Sequence, residues 1–131
     1  MKTQKQTAKY VDGFVLLIPK KNIAKYKKMA REAEEVWKRF GALDYKECMG
    51  EELSKKASDG MPSPLSFTTL TGAKAGDTVW FSFITYKNKT HRNQVNKKVM
   101  QFFSEKYANT DMAMPFDMSK MAVGGFSVEI G

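Results

Sequence analysis

Asp12 is a carboxylate inside an otherwise apolar run, where a charge needs either solvent or a partner. One interpretation is a proton acceptor that faces a cavity. The other is a structural pair with a lysine or tyrosine across a sheet, and this is the interpretation we favour. Tyr10 lies two residues earlier, on the same face of the predicted strand, and would extend either arrangement.

His91 is the one histidine in the chain, and Arg92 follows it. His91 falls one turn before Val95 on the apolar stripe of a predicted helix. In the first turn it meets the positive end of the helix macrodipole, which favours the neutral imidazole. A neutral imidazole suits a base or a hydrogen-bonding group for a ligand, but we favour a packed histidine satisfied by a backbone carbonyl. For Arg92, anion binding and simple solvation are equally good interpretations.

Trp80 either lines a cavity or fills the core, and we favour the core. Cys48 has no second cysteine beside it and is expected to be an inert thiol. A methionine cluster surrounds residues 115–117 and suits either a pliable lid over a ligand or a filler of core gaps. Its members are Met112, Met114, Met118 and Met121.

The elements that must position these side chains follow the order strand, helix, strand, strand, helix, strand. This order predicts an α+β domain, a ferredoxin-like βαββαβ sandwich in which two helices cover one face of an antiparallel sheet. The strands are predicted at residues 10–18, 42–49, 78–86 and 121–130, with a short extra strand at 65–70. The helices are predicted at residues 23–40 and 90–107.

Capping residues support both helices. Asn22 is expected to cap the first helix and Thr90 the second. Gly41 stands just past the first helix, where a left-handed C-cap is expected. The apolar stripe of the first helix is formed by Ile23, Tyr26, Ala30, Ala33, Trp37 and Phe40, and that of the second by Val95, Val99, Phe102 and Phe103.

The central strands are apolar on both faces. In the run TVWFSFITY (78–86), Val79, Phe81 and Phe83 point one way, whereas Trp80, Ile84 and Tyr86 point the other. Two helices cover one face of a small sheet, so the second face needs another surface. We expect a second copy of the chain. Gly124 and Gly125 in the last strand allow a bulge or a close approach of another group.

Bulk composition excludes several classes. The 131 residues fit one domain, predicted at 10–131 after a mobile tail at 1–9, and 42% hydrophobic content excludes global disorder. No apolar run approaches the ~20 residues that span a bilayer. We expect no membrane, no signal peptide and a cytoplasmic protein, since one cysteine suits a reducing compartment. The net charge is +8, but the basic residues of the first helix alternate with acidic residues, which is typical of a solvated surface. We therefore expect no nucleic-acid partner.

Motifs for the common chemistries are absent from the sequence. It contains no phosphate loop, nucleotide-binding glycine fingerprint, metal-spaced His/Cys set or Gly-x-Ser-x-Gly elbow. No cofactor and no metal are therefore expected.

Four stretches together resemble one family. They are YVDGFVLLIPKKN (10–22), VWKRFGALDYKEC (36–48), THRNQVNKKVM (90–100) and MPFDMSKMAVGGF (114–126). They are similar to the bacterial domain-of-unknown-function 1428 family. The resemblance implies the dimeric α/β-barrel variant of the ferredoxin-like fold, with two sheets facing each other in a homodimer. It implies no activity.

Three functions compete on these observations. The first is a homodimer that binds a small molecule between sheet and helices, with Tyr10, Asp12, Trp80, His91 and Arg92 as candidate ligand-binding residues. The second is a cofactor-independent monooxygenase, since some dimeric α/β-barrel enzymes place similar residue types around a cavity; whether the protein is an enzyme stays open. The third is an RNA-binding module, whose third strand would expose aromatics but lacks the motif's basic, glycine-containing start.

Overall fold

The computed structural model describes residues 7–111 and 113–131, which form a four-stranded sheet and three α-helices. The strands are β1 (Tyr10–Pro19), β2 (Asp44–Met49), β3 (Asp77–Tyr86) and β4 (Ala122–Ser127). The helices are α1 (Ile23–Arg39), α2 (Phe67–Thr71) and α3 (Lys89–Lys106). Short 3₁₀ turns precede α1 at Lys20–Asn22 and β4 at Met118–Lys120.

The predicted tail at 1–9 and the methionine cluster are only partly described. Residues 1–6 and Met112 lie outside the described residues. Lys9 is described, and its backbone N–H donates to the carbonyl of Tyr86 at 3.0 Å while its own carbonyl accepts from Val128 at 2.9 Å. Backbone pairing thus begins one residue before β1.

The sheet has the order β2-β3-β1-β4, and all neighbouring strands are antiparallel. The long central pair runs from Tyr10 opposite Tyr86 to Pro19 opposite Asp77. This order and the βαββαβ sequence of elements are those of the ferredoxin-like arrangement. The predicted α+β class, with helices α1 and α3 on one face of an antiparallel sheet, is confirmed.

Helix α1 ends as the sequence predicts, in a glycine C-cap. Gly41 has φ of +116°, a conformation that favours glycine because it has no Cβ. Its N–H donates to the carbonyl of Lys38 at 3.1 Å, and the N–H of Ala42 donates to Trp37 at 3.0 Å. These two bonds form a Schellman motif, which closes the helix and turns the chain towards β2.

The helix N-caps differ from the prediction. Asn22 stands at the N-cap of α1 but makes no capping bond, because its side-chain amide donates instead to the carbonyl of Pro115 at 2.9 Å. Thr90 lies inside α3. The cap is Asn88, whose side-chain oxygen accepts from the N–H of His91 at 2.8 Å.

The predicted extra strand at 65–70 is wrong, because this segment contains helix α2. The hydroxyl of Ser66 accepts from the N–H of Thr69 at 3.0 Å, which satisfies an otherwise free donor of the first turn. Gly72 ends the helix with φ of +70°. A serine cap and a left-handed glycine separated by a few residues enclose a single helical turn.

The alternation predicted for the central strands is present. Trp80, Ile84 and Tyr86 are buried on the face under α1 and α3, and Trp80 is only 3% exposed. Phe81 is 46% exposed on the opposite face, and its ring lies 5.9 Å from that of Phe83. We call this opposite side of the sheet the second face.

One end of the second face is covered by the chain itself. Leu17 and Val79 point to this face yet are buried. Helix α2, which follows the loop after β2, contacts both β1 and β3 and accounts for this burial. The other end, which carries Phe81 and Phe126, remains open, and Phe126 is 61% exposed.

The core under the helices consists of two apolar clusters. The first lies where α1 and α3 meet the sheet and includes Val36, Ile84 and Val99. The second lies under the start of α1 and includes Leu16 and Trp80. The sequence stripe omitted Val36, which is among the most buried residues of α1. No helix within the described residues is long and apolar enough to cross a membrane.

Candidate functional site

A cavity of about 420 Å³ lies between the helix-covered face of the sheet and helices α1 and α3. The cavity lies between the two apolar clusters of the core, which pack at different ends of the space between the sheet and the helices. Ligand pockets commonly have volumes of about 300–1,000 Å³, so the cavity is large enough for a small organic molecule. Its sheet wall is formed by Phe14, Leu16, Tyr45, Glu47, Ser82 and Ile84.

The helix walls of the cavity follow helical periodicity. The α1 residues that line it are three, four and four positions apart, so they share one face of the helix. They are Tyr26, Met29, Ala33 and Trp37, with Glu32 beside them. Helix α3 contributes Met100 and Phe103, and its C-cap residue Tyr107 also lines the cavity.

The segment before β4 forms a further wall. Phe116 packs edge-on against Tyr26, with 5.7 Å between the ring centroids. Three members of the predicted methionine cluster, Met114, Met118 and Met121, also line the cavity. Thioether side chains have three rotatable bonds and fill irregular space easily. The side chains of this wall can therefore adapt their shape, which is compatible with both a pliable lid and a filler of core gaps.

Glu47 is the polar centre of the cavity. Alternation along β2 places it on the same face as Tyr45, directed at the helices, and its register partner is Ser82. The hydroxyl of Tyr26 reaches both carboxylate oxygens, at 2.6 and 2.7 Å. Burial raises the pKa of Glu47 above its usual value, and the hydrogen bonds from Tyr26 and Ser82 partly oppose this rise.

Tyr26 holds the carboxylate from the helix side. It is buried and packs edge-on against Trp80, at 5.1 Å between ring centroids. Burial, followed by its hydrogen bond to Glu47, raises the pKa of Tyr26, so the phenol keeps its proton and acts as a donor. The pair therefore presents carboxylate oxygens with spare lone pairs to an apolar space.

Glu32, a second acid, stands where α1 faces the end of α3. Its carboxylate accepts hydrogen bonds from Lys106 and Tyr107. These two bonds lower the pKa of Glu32 below its usual value. Glu32 is therefore ion-paired with Lys106, whereas the partner of Glu47 is the neutral hydroxyl of Tyr26.

Three of the sequence-predicted residues come together outside the cavity. Arg92, in the second turn of α3, places Nε 3.2 Å from Oδ1 of Asp12, although the N–H is not directed at the oxygen. Its Nη2 donates to the hydroxyl of Tyr10 at 2.9 Å, and the guanidinium lies 4.9 Å from the centre of that ring. Asp12 is thus paired with an arginine from a helix. Its carboxylate also interacts with Tyr86 on the neighbouring strand, and burial together with Asp12 raises the pKa of that tyrosine, so the favoured structural pair with a tyrosine across the sheet is present as well.

Gly125 makes this cluster possible. A Cβ at this position would lie 2.3 Å from the Tyr10 hydroxyl and 2.5 Å from Nη2 of Arg92. Real Cβ atoms essentially never show such distances, so a side chain at this position would push the ends of Tyr10 and Arg92 out of their present contact. The close approach predicted for this glycine is present.

His91 is close to Arg92 in sequence but not in this cluster. Its Nδ1 accepts from the backbone N–H of Lys87 at 3.0 Å, and its ring packs edge-on against Tyr86 at 6.1 Å. Burial, together with the charges of Lys87 and Lys98, lowers the pKa of His91. His91 is a packed, neutral histidine whose partner is a backbone N–H and not a carbonyl.

The cavity is lined by none of the five sequence-predicted residues. Trp80 lies in the core behind Tyr26, and its Nε1 donates to Thr78 at 2.9 Å. Sequence reasoning missed Glu47 as a site residue. The alternation of side chains along β2 could have identified it. Tyr45 and Glu47 lie on the same face of the strand, and an aromatic residue such as Tyr45 indicates the buried face. Within the described residues, no group of three His, Cys, Asp or Glu side chains is arranged to hold a metal ion.

The fold and the cavity define a class: a small ferredoxin-like α+β domain with an apolar cavity beneath its helices and the half-buried carboxylate of Glu47 in the cavity wall. The chain belongs to the family described as "Protein of unknown function (DUF1428)", which it matches over residues 9–118. The resemblance seen in the sequence is confirmed. The uncharacterized protein YbaA of Escherichia coli K12 is 35% identical over 118 residues, which cover 90% of this chain and 94% of that protein. The YbaA protein of Shigella flexneri matches to the same extent.

Among solved structures, a de novo designed protein, Foldit4, resembles the chain with a TM-score of 0.42 and 9% sequence identity. The alignment covers 92% of this chain and 99% of that one. A likeness this weak bears on neither the fold nor the function.

We predict that Gly125→Ala destabilises the protein, because the new Cβ must displace Tyr10 or Arg92. Displacing either side chain breaks the hydrogen bond between Arg92 and Tyr10, and such a bond contributes about 0.5–1.5 kcal/mol to the unfolding free energy. Gly76→Ala is the matched control, since a Cβ there meets nothing within 4 Å. Urea unfolding measures both variants, and equal stability of the two would contradict the account of the cluster.

A second prediction concerns the pH dependence that Glu47 introduces. Its pKa is raised in the folded state, so the folded protein holds this proton more tightly than the unfolded chain. Stability is therefore lost as the pH rises from the unfolded value, about 4.3, through the raised folded value. Relative to wild type, Glu47→Gln should gain unfolding free energy over this range. Glu52→Gln, at an exposed position, is the matched control, and a difference between Glu47→Gln and wild type that does not change with pH would refute the prediction.

Proposed function

We propose that the protein is a homodimer that binds an apolar small molecule in the cavity between the sheet and helices α1 and α3. The observation that carries the proposal is the cavity itself: about 420 Å³, lined mainly by aromatic, aliphatic and methionine side chains. Such a cavity with a small number of placed polar groups is the usual form of a ligand site. The exposed thiol of Cys48 suits a reducing compartment, so the cytoplasm remains the expected location.

An empty apolar cavity has a cost that a ligand removes. Side chains that line an apolar cavity make fewer dispersion contacts than side chains in a filled core, and a bound apolar ligand would supply those contacts. A protein selected only for stability would fill the cavity with larger side chains at small positions such as Ala33 and Ser82. Both positions are small where they line the cavity, which supports binding over simple core packing.

The proposed dimer uses the open end of the second face. Phe81 and Phe126 are half-exposed or more, and Val15 and Phe83 lie between them in the strand register. The sheet there is antiparallel and apolar, which suits a symmetric copy of the same surface.

The charges of the second face also favour self-association. The net charge of +8 opposes contact between most surfaces of two copies. On this face, however, Lys46 and Asp44 lie 2.9 Å apart and offset each other. A second copy therefore meets an apolar surface with little charge repulsion.

The same arrangement disfavours RNA on this face. RNA recognition motifs stack bases on exposed aromatics of the sheet, as Phe81 and Phe83 would allow. Single-strand binding also needs a basic groove for the phosphates. The lysine that β2 places on this face is paired with an aspartate, so the dimer is the proposal that the charges favour.

We assign no reaction to the cavity. The monooxygenase interpretation needs Asp12, Trp80 and His91 around one cavity. Asp12 is paired with Arg92, Trp80 lies in the core, and His91 packs on Tyr86. These three side chains therefore offer no shared site.

Filling the cavity should abolish binding. We expect Ala33→Phe to weaken the affinity for the uncharged fluorescent probe N-phenyl-1-naphthylamine by about tenfold or more, equivalent to about 1.4 kcal/mol. Ala24→Phe, on the exposed side of the same helix, is the matched control and should bind as wild type does. Fluorescence titration measures the affinities. Absence of binding to wild type, or equal binding by both variants, would remove the cavity as the site.

The dimer is tested independently. Size-exclusion chromatography with light scattering should give wild type a mass twice the chain mass of 14.9 kDa. Phe81→Glu should shift the mass to that of the monomer, because it buries an unpaired charge in the interface. Met61→Glu adds the same charge at a position that is 65% exposed and should leave the dimer intact. A monomeric wild type at micromolar concentration would refute the dimer.

A further inference from the structure

We propose that the cavity selects apolar amines, with the ammonium group bound by the carboxylate of Glu47. This inference rests on the proposed function, because it names the ligand class of the same cavity. It goes further by assigning the polar contact that decides which apolar molecules bind.

The charge of the cavity points to a cation. Among the described residues, the charged side chains that line it are two acids, Glu32 and Glu47, and no lysine or arginine. Glu32 is already paired with Lys106. An anionic ligand such as a fatty acid would thus enter an apolar space that holds negative charge and no cation, which is unfavourable.

Glu47 has the geometry to bind one more donor. Tyr26 supplies a single O–H to its two oxygens, whereas an ionised carboxylate offers about four lone-pair positions. None of the ion pairs formed by the described residues includes Glu47. The carboxylate is therefore half-buried, held in place by Tyr26, and forms no ion pair with the described residues. A partly desolvated carboxylate in this state gains most from a partner that brings positive charge and hydrogen-bond donors together.

The apolar walls determine the rest of the ligand. Phe14, Trp37, Phe103 and Phe116 present aromatic surface, and the methionines of α1, α3 and the segment before β4 add polarizable thioethers. These groups favour a compact aromatic or aliphatic body. The matching ligand is an apolar skeleton that carries one primary ammonium group.

The test uses three probes with the same naphthalene body: 1-naphthylmethylamine, 1-naphthalenemethanol and 1-naphthoate. Calorimetric titration at about pH 7.5, where a primary alkylamine is protonated, measures each affinity. We expect the amine to bind about tenfold more tightly than the alcohol, because a hydrogen bond to a charged partner is worth more than a neutral one. Binding of the naphthoate should be the weakest. The net charge of +8 would produce the opposite order at the protein surface, so this order identifies the cavity.

Two variants assign the preference to Glu47. Glu47→Gln keeps the shape and the acceptor for Tyr26 but removes the charge, so the amine should lose its tenfold advantage while the alcohol still binds. Glu52→Gln removes one surface charge and should preserve the advantage. If all three probes bind wild type equally, or if the naphthoate binds best, the amine proposal is overturned while the cavity remains a binding site. If no probe binds, the proposed function fails with it.

Discussion

The antiparallel pairing of β1 with β3 is the constraint on which the rest of the structure depends. These two strands lie side by side at the centre of the sheet and pair along their whole length. Their register decides which side chains meet the helices, because a shift of one residue would exchange the two faces. With the observed register, Trp80 and Ile84 build the core, and Phe81 and Phe83 are left on the second face. Both the cavity and the proposed dimer surface follow from this one alignment.

The cavity arises because helix α1 packs on the sheet in both apolar clusters and α3 in only one of them, which leaves the space between the clusters incompletely filled. The two apolar clusters meet at Phe14, which packs against both. Glu47 reaches this central space from the edge strand β2, where a carboxylate costs least to bring inward because the edge is closest to solvent. Tyr26 then holds it in place from α1. A polar group is thus fixed in an apolar space by a donor that is itself buried.

The second polar cluster has a different character. Asp12 and Arg92 join the start of α3 to β1, with Tyr10 stacked on the guanidinium and Gly125 making room for it. The guanidinium of Arg92 forms an ion pair with Asp12 and donates to Tyr10, whereas its buried Nε–H has no hydrogen-bond acceptor among the described residues. This cluster positions α3 over the sheet. Of the two polar clusters, the one at Glu47 borders the cavity, and for that reason the function is assigned there.

The sequence by itself determined the order of elements, the two-sided character of the central strands and the C-cap at Gly41, because these depend on neighbours a few residues apart. Local signals failed where two capping groups competed, at Asn88 and Thr90, and where a tertiary contact took the side chain of Asn22 away from its cap. They also failed for the stripe of α1, which omitted Val36, and where polar caps enclosed a helix in place of a strand at 65–70. The tertiary structure alone decided the site. Tyr26 meets Glu47 across 21 positions of sequence, and Arg92 meets Tyr10 across 82. A cavity is the space left between elements that lie far apart in sequence, so the periodicity of residues along the chain does not predict it.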